Sequence, residues 1–182
     1  MSGEGRRERR AIVAVGANVA GRWGEPRRTV RAAEGALEAH GIRVLAHSRL
    51  FETEPVGPIS QPPFVNGALL VATTLAPGRL LASLKEIEAE AGRVDGLRWG
   101  PRALDLDIVD YDGRVVGWER THDPEKPRRL VLPHPEMHRR AFVLMPLADV
   151  APDWRHPVFG LTAGELIARL EGGVGGMRAI EE

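Results

Sequence analysis

Apolar residues run without a polar break from Ala11 to Val15 and give way to Gly16-Ala17-Asn18, the pattern of a central strand running into a loop. From Pro26 to His40 the spacing changes. Val30, Ala33 and Leu37 recur at helical intervals, Pro26 suits a first-turn position, and Gly41 is placed to end the helix. Alternation returns at Ile42, Val44, Ala46 and Leu50, predicting a second strand over Ile42 to Phe51. The stretch from Glu54 to Pro63 carries four prolines and a glycine, which exclude regular structure. A third strand is expected over Asn66 to Thr74. A second helix opens at Pro77, with Leu80, Leu84, Ile87 and Ala91 as its apolar stripe, Lys85 and Glu88 off that stripe, and Gly92 at its end. A basic loop spans Arg93 to Arg102, and Leu104 to Tyr111 alternates as a fourth strand. Asp112-Gly113 is a type I′ hairpin signal, predicting that Arg114-Val115-Val116 turns back to pair with it. Residues 117–129 read as a polar, irregular excursion. Pattern alone does not decide the packing of Leu130 to His134 or of Phe142 to Leu147. Thr162 and Glu165 form a capping box that starts a last helix through Leu170, and the glycine-rich 172–182 reads as a flexible tail.

Strand and helix segments alternate, yet hairpin signals are present. The expected class is therefore α+β: a ferredoxin-like core with a largely antiparallel sheet flanked by helices. The chain of 182 residues supports one core, expected over 11–171 after a disordered leader at 1–10. Charge refines this picture. Lys plus Arg and Asp plus Glu are balanced at 25 each, so no bulk field drives the molecule onto nucleic acid or membrane. Absence of cysteine excludes disulfides, thiolate ligands and a Cys nucleophile. No apolar run approaches the roughly 20 residues that span a bilayer. Arg6 to Arg10 before the first apolar run only superficially resembles a signal peptide, because Glu4 and Glu8 dilute it and Asn18 breaks the run. A cytoplasmic protein is expected.

Candidate chemistry concentrates in Arg98-Trp99-Gly100-Pro101-Arg102-Ala103-Leu104-Asp105-Leu106-Asp107-Ile108. The strand period points Asp105 and Asp107 to one face while Leu104, Leu106 and Ile108 take the other. Paired carboxylates suit a hard cation such as Mg²⁺. Arg93, Arg98 and Arg102 lie just upstream, and carboxylates for metal beside guanidinium groups for phosphate are the combination that phosphoryl transfer needs. The competing reading is solvated surface charge. Trp99, in a Gly-Pro loop, suits covering a flat heterocycle more than filling a core. Phe64 with Asn66 offers an aromatic face beside an amide that both donates and accepts, although a core Phe and a turn Asn give the same letters. His134, Arg139, Arg140 and Phe142 form a second basic-aromatic cluster, for which a solvated charge run is the alternative.

Gly16-Ala17-Asn18, Phe51 to Pro58, Gln61-Pro62-Pro63-Phe64-Val65-Asn66, the Arg98 to Asp107 block and Pro133-His134-Pro135 follow one another in the order found in the 6-hydroxymethyl-7,8-dihydropterin pyrophosphokinases. The chain resembles that family over about residues 11–168. The resemblance implies transfer of the β,γ-pyrophosphoryl unit of ATP, the co-substrate, to the hydroxymethyl oxygen of the pterin, with release of AMP, in folate biosynthesis. It implies two Mg²⁺ ions on Asp105 and Asp107, and Arg93 and Arg102 as phosphate clamps, Arg102 near the reacting oxygen. Glu88, Arg98, Ile108, Arg129, His134 and Arg140 fall on ATP-binding positions. Phe64 and Phe142 would sandwich the pterin, Asn66 would read its edge, Thr53 and Val56 would line the pocket, and Trp99 would fold over it. The proline-rich and basic loops correspond to the family's lids. A monomer, with contact to neighbouring folate-pathway enzymes, is expected.

Three departures from the resembled family stand out: Asp95 and Gly96 where some members carry a further basic residue, Glu54 where a proline is common, and a longer excursion at 117–129. Two other functions share parts of the pattern. Asp-x-Asp nucleotide-sugar transferases also hold metal, but this chain is short and lacks their fold pattern. An RNA-binding ferredoxin-like module would use the arginines and Phe64 or Phe142, but the neutral charge and missing aromatic strand signature oppose it.

Overall fold

The computed structural model describes residues 7–55, 60–94, 100–118, 130–171 and 173–181. Its elements are strand β1 (Arg9–Ala17), helix α1 (Pro26–Ala39), strands β2 (Arg43–His47), β3 (Phe51–Thr53) and β4 (Phe64–Thr73), helix α2 (Pro77–Glu90), strand β5 (Asp105–Tyr111), helices α3 (Ala141–Val150) and α4 (Ala163–Ile167), and strand β6 (Met177–Ala179). The sheet is antiparallel throughout, in the order β5-β1-β4-β3-β6, with β2 also paired to β4. Taking β2 and β3 as one interrupted strand, the chain follows the βαββαβ path of the ferredoxin-like core, as expected.

Strand β1 sits centrally and is buried on both faces, which is why its sequence reads as an unbroken apolar run. Ala11, Val13 and Val15 pack with Val30, Ala33 and Leu37 of α1 and Leu80, Leu84 and Ile87 of α2. On the other face, Ile12 joins Val143, Leu144 and Leu147 of α3 and Leu166 of α4. Leu37, Leu80 and Leu84 are fully buried, so truncating any one to Ala should cost about 2–5 kcal/mol. Both long helices begin with Pro in the first turn. Gly41 and Gly92 follow them at φ of 72° and 98°, a conformation that stops a helix without strain only for glycine.

Several expectations need correction. The second strand is not continuous: Ser48 steps out of the ladder, its Oγ accepting from Ala68 N while its own N–H donates to Ala68 O, which divides β2 from β3. Asp112 and Gly113 do adopt the positive φ (54° and 67°) that a type I′ turn requires. The segment after them nevertheless leaves β5, and Val116 pairs with Leu132 in an isolated bridge. Phe142 to Leu147 is helical, as part of α3. The Thr162–Glu165 capping box is formed, but α4 ends at Ile167, short of Leu170. The segment expected as a flexible tail supplies β6, which pairs with β3, and Arg9 and Arg10 of the expected leader belong to β1. Glu88, expected off the apolar stripe, is only 1% exposed.

Candidate active site

Strand register builds the site as one cross-strand row. Gly16 stands opposite Asp105 on one side and Asn66 on the other, and Asn66 stands opposite Phe51. Residues directly opposite one another share a face, and strands lie about 4.8 Å apart. Asp105 and Asn66 therefore rise from the same face roughly 10 Å apart, two strand spacings, with the side-chain-free Gly16 between them. The opposite face at this end is core: Leu106 and Ile108 pack under α1 and α2. The face bearing Asp105 and Asp107 is the one that α3 covers farther along.

At the β5 end the charges are interlocked. Asp105 Oδ1 accepts from Arg93 Nη1 at 2.6 Å and Arg102 Nη1 at 2.5 Å. Arg93 Nη1 also pairs with Glu88 Oε2 at 2.7 Å. Strand β5 is an edge, and α2 satisfies its outward backbone at Leu106: Glu88 Oε1 accepts Leu106 N–H at 2.6 Å, and Lys85 Nζ donates to Leu106 O at 3.2 Å. Lys85 also binds Glu88 Oε1 at 2.7 Å and lies 4.0 Å from Asp107 Oδ1. Burial pushes the Asp105 carboxyl up, but Arg102 and Arg93, with Lys85, outweigh it and hold the group below the usual carboxylate range. Burial dominates at Glu88 and raises it, despite the opposing charges of Lys85 and Arg93.

Asn66 and Thr53 are both buried, and Asn66 Nδ2 donates to Thr53 Oγ1 at 2.7 Å. Thr53 stands opposite Phe64 in the ladder, so these three sequence-selected residues meet at the mouth of β3 and β4. Phe142 opens α3, with the Arg140 guanidinium 5.8 Å from its ring centre. His134 is anchored by its N–H to Val109 O, and its Nδ1 accepts from Glu136 N, so a neutral ring carries its proton on Nε2. Burial and Arg140 lower the His134 pKa, against the opposing pull of Asp107. The Ile108 side chain is buried in the core under α1 and α2. Any ligand contact from that residue falls to its backbone, which by strand period faces outward like that of Leu106. Val56, Arg98, Trp99 and Arg129 lie outside the described residues.

Asn18 emerges as a connector that the residue pattern alone did not select. It is 2% exposed. Its Nδ2 donates to Gln61 Oε1 and Pro62 O, its Oδ1 accepts from Arg102 N at 2.8 Å, and its own N–H donates to Arg102 O. One amide thereby ties the end of β1 to the proline-rich loop and to the residue bearing a phosphate-clamp candidate. The only sequence signal was its place in Gly16-Ala17-Asn18, directly after the central strand.

A family model described as 7,8-dihydro-6-hydroxymethylpterin-pyrophosphokinase matches residues 12–152. The chain belongs to this family. The 2-amino-4-hydroxy-6-hydroxymethyldihydropteridine pyrophosphokinase of Pseudomonas aeruginosa is 47% identical over 149 residues, covering 81% of this chain and 84% of the relative. The protein of the same name from Methylorubrum extorquens is 42% identical over 140 residues, covering 77% and 82%. The crystal structure of Plasmodium falciparum HPPK-DHPS with pteroate superposes with a TM-score of 0.66 at 15% identity, a likeness of fold that covers 92% of this chain and 44% of that one.

Whether a pyrophosphokinase's Mg²⁺ fits this site can be judged from the donors. Asp105 and Asp107 are acceptor-only, on one face, with side chains 24% and 40% exposed. Among the described residues no third His, Cys, Asp or Glu joins them into a cluster able to hold a metal alone. That is the donor set of an ion that keeps part of its water and completes its shell with substrate phosphate, as Mg²⁺ does. The residues fit. Among the described residues no helix is long and apolar enough to cross a membrane.

Proposed function

We propose that the row from Asp105 through Gly16 to Asn66 is where ATP and the pterin meet. The chain is a pyrophosphokinase of folate biosynthesis that transfers the pyrophosphoryl group of ATP to the hydroxymethyl group of 6-hydroxymethyl-7,8-dihydropterin. The observation that carries the site assignment is that this row sets a carboxylate-guanidinium cluster and a buried amide on one face, with no side chain between them.

In this reading Asp105 and Asp107 hold two Mg²⁺ ions, which when bound neutralise charge on the triphosphate. Arg93 and Arg102 clamp the phosphates, with Arg102 at the transferring group. The Ile108 backbone, His134 and Arg140 hold ATP together with Arg98 and Arg129, and Glu88, buried with both oxygens engaged, serves ATP binding by positioning Arg93 and Lys85. Phe64 and Phe142 flank the pterin ring, Asn66 and Thr53 read its edge, Val56 lines the pocket, and Trp99 closes over it. The hydroxymethyl oxygen attacks the β-phosphorus in line, the bond from that phosphorus to the α,β-bridging oxygen breaks, AMP leaves, and the hydroxyl proton passes to solvent. Orientation and charge neutralisation supply the catalysis. The chain works as a monomer in the cytoplasm.

The test is direct. Folded protein is incubated with ATP, Mg²⁺ and the reduced hydroxymethylpterin, and AMP is measured with and without the pterin. Pterin-dependent AMP formation is the expected result, and its absence from a sample with intact cooperative unfolding overturns the reading.

A further inference from the structure

Away from the Asp105 row, the turn between β1 and α1 and the outer face of α1 border a wide-open cavity of about 600 Å³, lined by Arg22, Trp23, Gly24, Arg28, Ala32 and Ala36. Its shape follows from local structure. Gly21 and Gly24 exchange backbone hydrogen bonds, which projects Arg22 and Trp23 at the tip of a tight turn. Arg22 N–H donates to Ala91 O at 2.8 Å, fixing that turn to the end of α2. Arg28, Ala32 and Ala36 recur every fourth residue and so share one helix face, with two methyl groups where longer side chains would fill the space.

The chemistry of the walls is specific. Arg22 and Arg28 are exposed, and neither makes an ion pair among the described residues. Trp23 is half-buried, packed against the core beneath α1. An indole fixed from behind, two guanidinium groups without carboxylate partners and a low apolar wall together complement a flat ring bearing negative charge. We propose that this cavity is a second binding site, separate from the pyrophosphokinase site, for a small planar aromatic molecule carrying an anionic group.

Backbone and indole NMR of the ¹⁵N-labelled full chain titrated with 1-naphthyl phosphate tests this. Saturable shifts are expected at the Trp23 indole N–H and at the amides of Arg28, Ala32 and Ala36. Ala32→Glu places a carboxylate in the cavity from an exposed position, without disturbing the core. It should weaken the binding that these signals report by about tenfold or more, as should Arg22→Ala combined with Arg28→Ala. Absence of saturable shifts at these residues in the unmodified chain overturns the proposal. So does undiminished affinity in both variants, or equal affinity for uncharged 1-naphthol. The readout is local and does not involve turnover, so its failure leaves the pyrophosphokinase reading untouched.

Discussion

Gly16→Ala should separate the proposed pterin half of the site from the proposed ATP half with one methyl group. The added Cβ would stand 2.6 Å from Asn66 Oδ1, whereas a carbon and a carbonyl oxygen in contact rest about 3.3–3.6 Å apart. Something must therefore yield by roughly 0.7–1 Å. The backbone is held, because Gly16 is paired to Asn66 and to Asp105. The Asn66 carboxamide must turn instead, and it is buried and tied to Thr53 Oγ1 at 2.7 Å. Losing that bond costs about 0.5–1.5 kcal/mol, and an off-rotamer side chain about as much again. The expected destabilisation is thus about 1–3 kcal/mol, or about 2–4 °C in Tm per kcal/mol for a chain of this size. Displacing the amide proposed to read the pterin by about 1 Å should lower kcat/KM for the pterin by about 10–100-fold. The KM for ATP should change little. Denaturant unfolding and steady-state kinetics with each substrate varied at saturating levels of the other provide the readout. Unchanged pterin kinetics in a folded variant, or a loss falling equally on both substrates, would refute the reasoning.

Asp107→Asn should abolish Mg²⁺-dependent turnover with less than about 1 kcal/mol lost in urea unfolding, since the side chain is 40% exposed and its one ion-pair partner among the described residues, Lys85, is 4.0 Å away. His156 is fully buried, and burial together with His138 lowers its pKa to about 4. The unfolded chain therefore binds the extra proton first, so stability is full above the ordinary pKa near 6.5 and falls by up to about 3 kcal/mol as pH drops from there toward 4. Asn at 156 can still accept the Val158 and Phe159 N–H groups that His156 Nδ1 accepts, so His156→Asn should flatten the slope of unfolding free energy over that window. Gly35 lies within α1, and an added Cβ there meets nothing within 4 Å, so Gly35→Ala should raise stability by about 0.5–1 kcal/mol in the same assay with unchanged kinetics.

The readable parts of this chain were those governed by local period or local stereochemistry. Val30, Ala33 and Leu37, or Leu80, Leu84 and Ile87, declare a helix face wherever they occur, and the glycines that end those helices declare their φ. The readings that failed depend on partners remote in sequence. Ser48 breaks a strand because it meets Ala68, and Val116 leaves the hairpin because Leu132 is there to receive it. Met177 to Ala179 becomes a strand because β3 presents a free edge. At the site, strand alternation put Asp105 and Asp107 on one face. It could not show that Glu88, which looks solvent-facing on a helical wheel, is buried by the backbone of Leu106, nor that Asn18 reaches Arg102 across 84 residues of chain.

The resting charge pattern bears on which arginine can follow the transferring phosphate. Among the described residues, Arg93 and Arg102 at the β5 end are both already paired, so phosphate binding there would exchange partners instead of capturing free charges. In the proposed reading, carboxylates engaged by Mg²⁺ would leave both Arg93 and Arg102 without Asp105 as a partner. Arg93 retains Glu88, which is held in place by the Leu106 N–H and Lys85. Arg102 has no second carboxylate among the described residues. Its backbone is fixed by Asn18 while its side chain is released. That exchange would leave Arg93 fixed against Glu88 and Arg102 the guanidinium free to move with the group in transfer, in keeping with the division of labour proposed for them.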